Sequence, residues 1–384
     1  MSFRIPFNRP FLCGGELENV RQAFELGHSA GDGSFTHQCH QWLETRLGVP
    51  KALLTTSCTH ALEMSALLLN IEPGDEVIVP SFTFVSTVNA FVLRGARPVF
   101  VDVRPDTLNL DERLLETAMS EKTKAIVCVH YAVVACEMDA IMAIAEKYKI
   151  AVVEDNAHGL MARYRGRYLG TIGELATQSF HETKNVICGE GGALLVNDPA
   201  LIDRAEIIRE KGTNRKRFFR GQVDKYSWVD IGSSFLPSDI LAAFLLKQLQ
   251  SFERIQAIRS QLWHRYFEAL QEWAHGNGIG LPHIPAHCDQ SYHLFYCVMP
   301  SLSERASLID WLRSNGIQAV FHYQPLHLSQ MGTRYGAKVG DCPVTETVSD
   351  RLVRLPFFNS MTPEEQRHTI DAVRRFSTRS KMAA

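Results

Sequence analysis

Lys184 stands in SFHETKNVICGEGG, residues 179 to 192, between an apolar run and a glycine cluster. A lysine attacks a carbonyl only while part of it is neutral, a state that burial and nearby cations promote. It is therefore either a nucleophilic amine or an ordinary solvated charge. Three other stretches carry groups that would complete such chemistry. VVEDNAH (152–158) puts two acids and His158 after an apolar run, at the strand end where open α/β sheets bind ligands. Asp155 there either faces a ligand or caps the next helix; as metal ligands, Asp155 and His158 lack a third of matching spacing. TTSCTH (55–60) marks a strand-to-helix turn, whose free amides and Ser57 and Thr59 hydroxyls suit a phosphate or simply an N-cap. PSFTFVST (80–87) brings Phe82 and Phe84 to one face for as long as the strand lasts, as core or as a platform for a planar ring.

These groups converge only if strands deliver them to a common edge. KALLTT (51–56), EVIVPSF (76–82), RPVFVDV (97–103), KAIVCVHY (124–131) and IAVVEDNA (150–157) read as strands. The helical patterns THALEMSALLLN (59–70), TVNAFVLRG and DAIMAIAEKY (139–148) alternate with them. That alternation predicts an α/β chain with a parallel sheet covered on both faces. After ALLVND (193–198), residues 209–237 form a basic, aromatic segment containing Arg215, Arg220 and Lys225. It is long for a connection, and such segments usually serve a function or bridge to a partner. One continuous helix is expected over 238–273, with Ser238 as N-cap. It would lead from a large domain (1–250) to a small one (251–384) built from YHLFYCVM, RASLIDWLRSN, QAVFHYQ and a helix from Thr362. A phosphate cradle, an aromatic face, a carboxylate and a lysine on one edge match the needs of pyridoxal 5'-phosphate (PLP). That cofactor takes a lysine anchor and an acid that keeps its ring nitrogen protonated.

The totals exclude several classes. Net charge of −2 over 384 residues and a pI near 6.7 leave no electrostatic footprint for nucleic acid or an anionic membrane. The nine cysteines are scattered and form no C-x-x-C pair, which points to reduced thiols in a cytoplasm. MSFRIPFNRPF carries charge and proline where a signal peptide needs an apolar stretch. The longest apolar run, Ala125 to Cys136, falls short of the roughly 20 residues that span a bilayer. A soluble cytoplasmic protein is the expectation.

Over nearly its whole length, from PFNRP to HYQPLH, the chain resembles the PLP-dependent nucleotide-sugar aminotransferases of the DegT/StrS type. The resemblance implies fold type I, the aspartate aminotransferase-like fold: a large domain with a mostly parallel sheet plus a smaller C-terminal α/β domain. SFHETKN is similar to the family's cofactor-lysine motif, which implies Lys184 as anchor and proton carrier. VVEDNAH resembles the E-D-x-A-[QH] motif, implying Asp155 at the pyridinium nitrogen and His158 at the ring hydroxyl. TSCTHALE resembles the S-G-T-x-A-L turn, so Cys58 and Thr59 would hold phosphate, with Ser179 as a further ligand and Phe84 stacked on the ring. Three positions depart from the pattern. Cys58 and Val133 replace glycines, and Ser234 stands where many members carry an asparagine that reaches the neighbouring subunit's phosphate. His327 resembles a substrate-side histidine, and Arg215, Arg220 and Lys225 would meet a nucleotide diphosphate. L-glutamate and a nucleotide-linked ketosugar are the implied substrates, and the implied assembly is a homodimer with a shared active site. Three other readings stay open: a related nucleotide-ketosugar aminotransferase giving a 4-amino gluco epimer or a 3-amino sugar, a dehydratase of the same fold, whose relatives carry histidine in place of Lys184, and a non-catalytic PLP-binding regulator.

Overall fold

The computed structural model describes residues 3–377. Five strands of its main sheet arise early in the chain: β1 (Lys51–Thr55), β2 (Glu76–Pro80), β3 (Arg97–Val101), β4 (Thr123–Val129) and β5 (Ala151–Asp155). A small hairpin, β6 (Arg163–Tyr164) and β7 (Arg167–Tyr168), intervenes before β8 (Leu175–Ser179) and β9 (Gly192–Val196) complete the sheet. The spatial order is β1-β9-β8-β5-β4-β2-β3. Pairing is parallel from β8 through β5, β4 and β2 to β3, while β9 runs antiparallel to both β1 and β8. Only β9 is reversed, so the other six strands release their carboxyl ends along one edge.

Both faces are covered, as near-continuous apolar strands require. Along β9, Leu194 and Val196 pack with α3 (Cys58–Leu68) and α4 (Val85–Val92), through Leu62, Met64, Val88 and Phe91. Ala193 and Leu195 point the other way, into a layer made by α2 (Ser34–Leu47) and the helix Asp239–Gln250. α1 (Glu16–Glu25) lies against that same helix.

The helix expected over 238–273 is two helices, Asp239–Gln250 and Phe252–Gly276. Ser238 does cap the first, its hydroxyl accepting from Leu241 N–H. At Ser251 the backbone leaves helical angles, and both its amide and its hydroxyl donate to Lys247 O. The apolar spacing continues across that break, which is why periodicity alone misses it. Residues 209–237 are not all loop either; they contain a short helix, Arg215–Phe219.

Past Ser251 a second core forms. β11 (Tyr296–Val298), β12 (Val320–Phe321) and β13 (Leu352–Arg354) make an antiparallel sheet in the order β11-β13-β12, and a two-residue β10 (Cys288–Asp289) pairs instead with β6. The helices Phe252–Gly276, Leu302–Ser314 and Pro363–Arg375 pack on it through Leu262, Tyr266, Leu308 and Ile370. Thr362 and Glu365 form a reciprocal capping box at the last helix. Ile5 is buried in this core too, its amide and carbonyl bonded to Gly316 and Gln318. The chain's start therefore packs with its C-terminal unit.

Under the sheet edge, Glu154 is fully buried and accepts from His130 Nε2 at 2.9 Å and from the amides of Gly170, Ile172 and Gly173 at 2.7–2.8 Å. Cys136 N–H donates to His130 Nδ1 at 3.2 Å, so the ring keeps its one proton on Nε2, where Glu154 receives it. Removing the carboxylate leaves one buried imidazole N–H and three amides without a partner. Glu154→Ala strands four buried donors, at about 1 kcal/mol or more each, and is expected to cost about 3–5 kcal/mol of stability, read from the denaturant midpoint.

Candidate active site

A cavity of about 590 Å³ opens at the carboxyl edge of the sheet. Its walls bring together Cys58, Thr59, Phe84, Asp155, His158, Ser179 and Lys184 from four separate stretches of the large sheet and its loops. Phe321, His322, Tyr323 and Gln324, just after or within β12, close the opposite side.

One end is built for an anion. Ser57 caps α3 by accepting from His60 N–H at 3.1 Å, leaving the first amides of the helix free. Thr59 donates to Ser86 Oγ at 2.8 Å, and Ser179 lines the same cavity. Gly192 is paired in register with both Thr55 and Ser179. A Cβ there would fall 2.4 Å from Cys58 N, so only glycine lets β9 pass behind the turn. Cys58 fits without displacing the turn, its thiol 3.4 Å from Thr177 Oγ1.

At the other end, Asp155 is buried, with Oδ2 accepting from Thr87 at 2.7 Å and Oδ1 from Ala157 N–H at 3.2 Å. Burial raises its carboxyl above the ordinary range despite the Thr87 bond. The His158 ring packs at 4.3 Å from that of His293, and its Nδ1 is buried without a hydrogen-bond partner. Burial, then the nearby Lys184, hold this imidazole neutral. Phe84 is 57% exposed in the cavity, whereas Phe82 is core, edge-on to Tyr131. The two rings part company because β2 ends at Pro80, so their spacing of two no longer means one face.

Lys184 sits half-buried in the wall, on a turn in which its amide bonds His181 O. Its amine has no ion pair or hydrogen bond among the described residues. Burial pulls its ammonium down to about 8, with Arg354 adding to that and Cys58 and Asp155 opposing it. A neutral, unpaired amine is thus accessible near neutral pH. A planar phosphorylated ligand would find amides and hydroxyls at one end, a ring platform in the middle and a buried carboxylate at the other.

The model of the DegT/DnrJ/EryC1/StrS aminotransferase family matches residues 14–374. The chain belongs to that family. It is an aminotransferase by family, with the α/β fold type I architecture of its solved members. The uncharacterized protein MJ1066 of Methanocaldococcus jannaschii is 33% identical over 388 residues, 99% of each chain. S. venezuelae DesV, solved in complex with a ketimine intermediate, is 30% identical with a TM-score of 0.88, covering 97% of this chain and 98% of its own. Spr1654 of Streptococcus pneumoniae in its PLP form is 28% identical with a TM-score of 0.88, covering 96% and 97%.

Several expected residues stand elsewhere. His327 is fully buried outside the cavity, with Nδ1 on Ser81 Oγ at 2.6 Å and Nε2 on Glu346 at 3.0 Å. Both nitrogens are occupied, so it joins the end of β2 to the C-terminal unit. The histidine that does face the cavity is His322, five residues earlier in the same HYQPLH stretch. Arg220 pairs with Glu206 at 2.8 Å, and Arg215 lies near Glu210 and over the Phe219 ring. Lys225 and Ser234 are exposed, and none of these four lines the cavity of its own chain. Sequence reasoning missed Thr83, Thr87, His293 and Tyr323. The threonines were within reach, since PSFTFVST places them beside the phenylalanines; His293 had no local signal.

Because the amine titrates near 8, the neutral fraction of Lys184 grows as pH rises through that value. In cofactor-free protein, its acetylation by acetic anhydride should show a midpoint near pH 8, well below that of surface lysines, when mapped by mass spectrometry.

Proposed function

We propose that this protein is a PLP-dependent aminotransferase that moves the amino group of L-glutamate to a nucleotide-linked ketosugar. The observation that carries the reading is the convergence of Lys184, Asp155, His158 and the free amides of α3 on one cavity with Phe84 exposed inside it. The raised carboxyl of Asp155 and the unpartnered His158 Nδ1 are the polar groups such a ring would satisfy.

Bound there, PLP supplies an electron sink for charge left at a substrate carbon. The protein's part is to hold and to move protons. Lys184 anchors the cofactor, and its freed amine takes the proton from the carbon bearing nitrogen and returns it on the other side. Asp155 keeps the ring nitrogen protonated, neutral His158 meets the ring hydroxyl, and Phe84 lies on the ring face. The α3 amides, the Thr59 and Ser179 hydroxyls and the Cys58 turn receive the phosphate.

For the acceptor we favour dTDP-4-dehydro-6-deoxy-D-glucose, with dTDP-4-amino-4,6-dideoxy-D-galactose as product, in the making of a surface glycan of the enterobacterial common antigen type. This rests on resemblance to dTDP-4-amino-4,6-dideoxygalactose transaminases in PGDEVIVPSFTFVSTVNAFVLRGA, CVHYAVVACEMD and REKGTNRKRFFRGQVDKYSWVDIGSS. The last stretch includes Ser234 and is the most distinctive. We also propose a cytoplasmic homodimer. Trp228 and Phe219 are 79% and 68% exposed on that same segment, an apolar surface that suits burial by a second copy. There Ser234, Arg215, Arg220 and Lys225 would act on the partner's cavity. Among the described residues no helix is long and apolar enough to cross a membrane.

Incubating the protein with the ketosugar and L-glutamate and taking the product's NMR spectrum decides the acceptor. The expected coupling pattern is that of an axial amine at C4; an equatorial amine at C4 overturns the galacto product, and an amine at C3 overturns the 4-amino assignment. Lys184→Arg keeps a cation but not a titratable nucleophile, and should lower turnover by at least about 10²- to 10⁴-fold. Borohydride should fix the bound chromophore to one lysine within residues 179–190. A protein that holds PLP yet keeps its absorbance when glutamate is added is instead a regulator.

A further inference from the structure

No side-chain hydrogen bond orients His158 among the described residues, and its Nδ1 is buried without a partner. Packing must therefore set the plane of this imidazole. His293 is the nearest ring, with centroids 4.3 Å apart and planes tilted by 31°, ahead of Tyr131 at 6.1 Å and His322 at 6.5 Å. His293 comes from the C-terminal unit, and its own place is closely determined. Asn185, the residue after Lys184, is buried and donates from Nδ2 to Ser291 O at 2.6 Å. That bond turns Oδ1 toward His293, where it accepts from Nδ1 at 2.9 Å. Burial keeps the His293 ring neutral, so its one proton is the one given to Asn185. Arg259 holds the backbone of the same turn, donating from Nε to Tyr292 O at 2.7 Å and from Nη2 to His293 O. Between these clamps Tyr292 takes a φ of +49°, a left-handed conformation that a bulky residue keeps only where its surroundings over-determine it. Four hydrogen bonds and a strained turn thus deliver one ring to the back of His158.

We propose that His293 is a positioning residue: it sets the plane of His158 against the cofactor's ring hydroxyl and, through Asn185, ties that setting to the turn that carries Lys184. The chemistry of PLP asks for such a tie. Its hydroxyl sits on the ring carbon next to the one that bears the aldehyde. The group that meets the hydroxyl and the amine that meets the carbonyl must therefore keep the spacing of neighbouring ring atoms. Lys184 and His158 lie on separate loops, after β8 and after β5, and no hydrogen bond joins their side chains among the described residues. Asn185 and His293 join them instead, by the backbone from Lys184, the Nδ1–Oδ1 bond and the ring contact. A phenylalanine at position 293 would keep a ring against His158. Only a group with an N–H donor also engages Asn185.

The inference rests on the PLP reading of the cavity, and its test separates the two. PLP is titrated into cofactor-free wild type, His293→Leu, His293→Phe, His158→Leu and the two double variants. Affinity and the visible absorbance of the bound chromophore are read for each, and urea midpoints of the cofactor-free proteins report folding separately. His293→Leu should weaken PLP about 10-fold and shift the absorbance maximum, since the group beside the ring hydroxyl tunes the chromophore. His293→Phe keeps the ring contact and should fall between; it also decides the matter if the leucine variant does not fold. In the His158→Leu background either change should add less than about 2-fold and no further shift, because His293 then has nothing to act through. A merely structural role costs the same in both backgrounds. Equal losses with and without His158, or His293 variants that bind PLP and absorb as wild type does, overturn the proposal. A wild type that binds no PLP is a different result: it overturns the cofactor reading, and this inference with it.

Discussion

The arrangement depends on what adjacent carboxylates in VVEDNAH do. Side chains alternate along a strand, so Glu154 and Asp155 at the end of β5 face opposite ways. Glu154 turns away from the cavity and gathers His130 from the end of β4 and three amides from the loop that leads to β8. That one buried group fixes the spacing of three neighbouring strand ends. Asp155 is thereby held at the cavity, with Val129 of β4 opposite it in register and Thr87 of α4 on its oxygen. A carboxylate with four partners makes the scaffold; the next one, left with room on one side, makes the chemistry.

The same division between saturated and unsaturated groups runs through the site. Burial acts on Asp155 and Lys184 in opposite senses, raising the acid and lowering the amine, so the charged form of each is disfavoured. A ligand that brings a positive ring nitrogen to Asp155 and a carbonyl to Lys184 removes both penalties together. Binding and folding are then linked, since whatever occupies the native cavity stabilises the native state.

Much of this was legible in the sequence because the chemistry sits at strand ends. The types and order of Lys184, Asp155, His158 and the TSCT turn needed only a parallel sheet to place them on one edge, and apolar runs alternating with helices announce that sheet. What escaped has definite causes. HYQPLH carries two histidines five residues apart, and nothing local says that His322 follows β12 into the cavity while His327 folds under Ser81. The break at Ser251 is a matter of backbone angles and one serine hydroxyl, neither visible in apolar spacing. Phe82 and Phe84 were separated by the end of a strand that the pattern carried too far. The basic residues of the 209–237 segment looked like ligand groups, yet Arg220 is engaged by an acid of its own chain.

The two units contribute unlike things to the cavity. The large sheet supplies groups at fixed strand ends, where parallel pairing sets positions within the limits of a ladder. The small unit supplies side chains aimed across from a separate core, His322 and Tyr323 beyond β12. Ile5, anchored by Gly316 and Gln318, and Arg259, bonded to the carbonyls of Tyr292 and His293, brace that unit. Arg259 in turn sets His293 behind His158, so a cation in the second core orients a ring in the first. The large sheet thus carries Lys184 and Asp155, and the small unit closes the cavity opposite them.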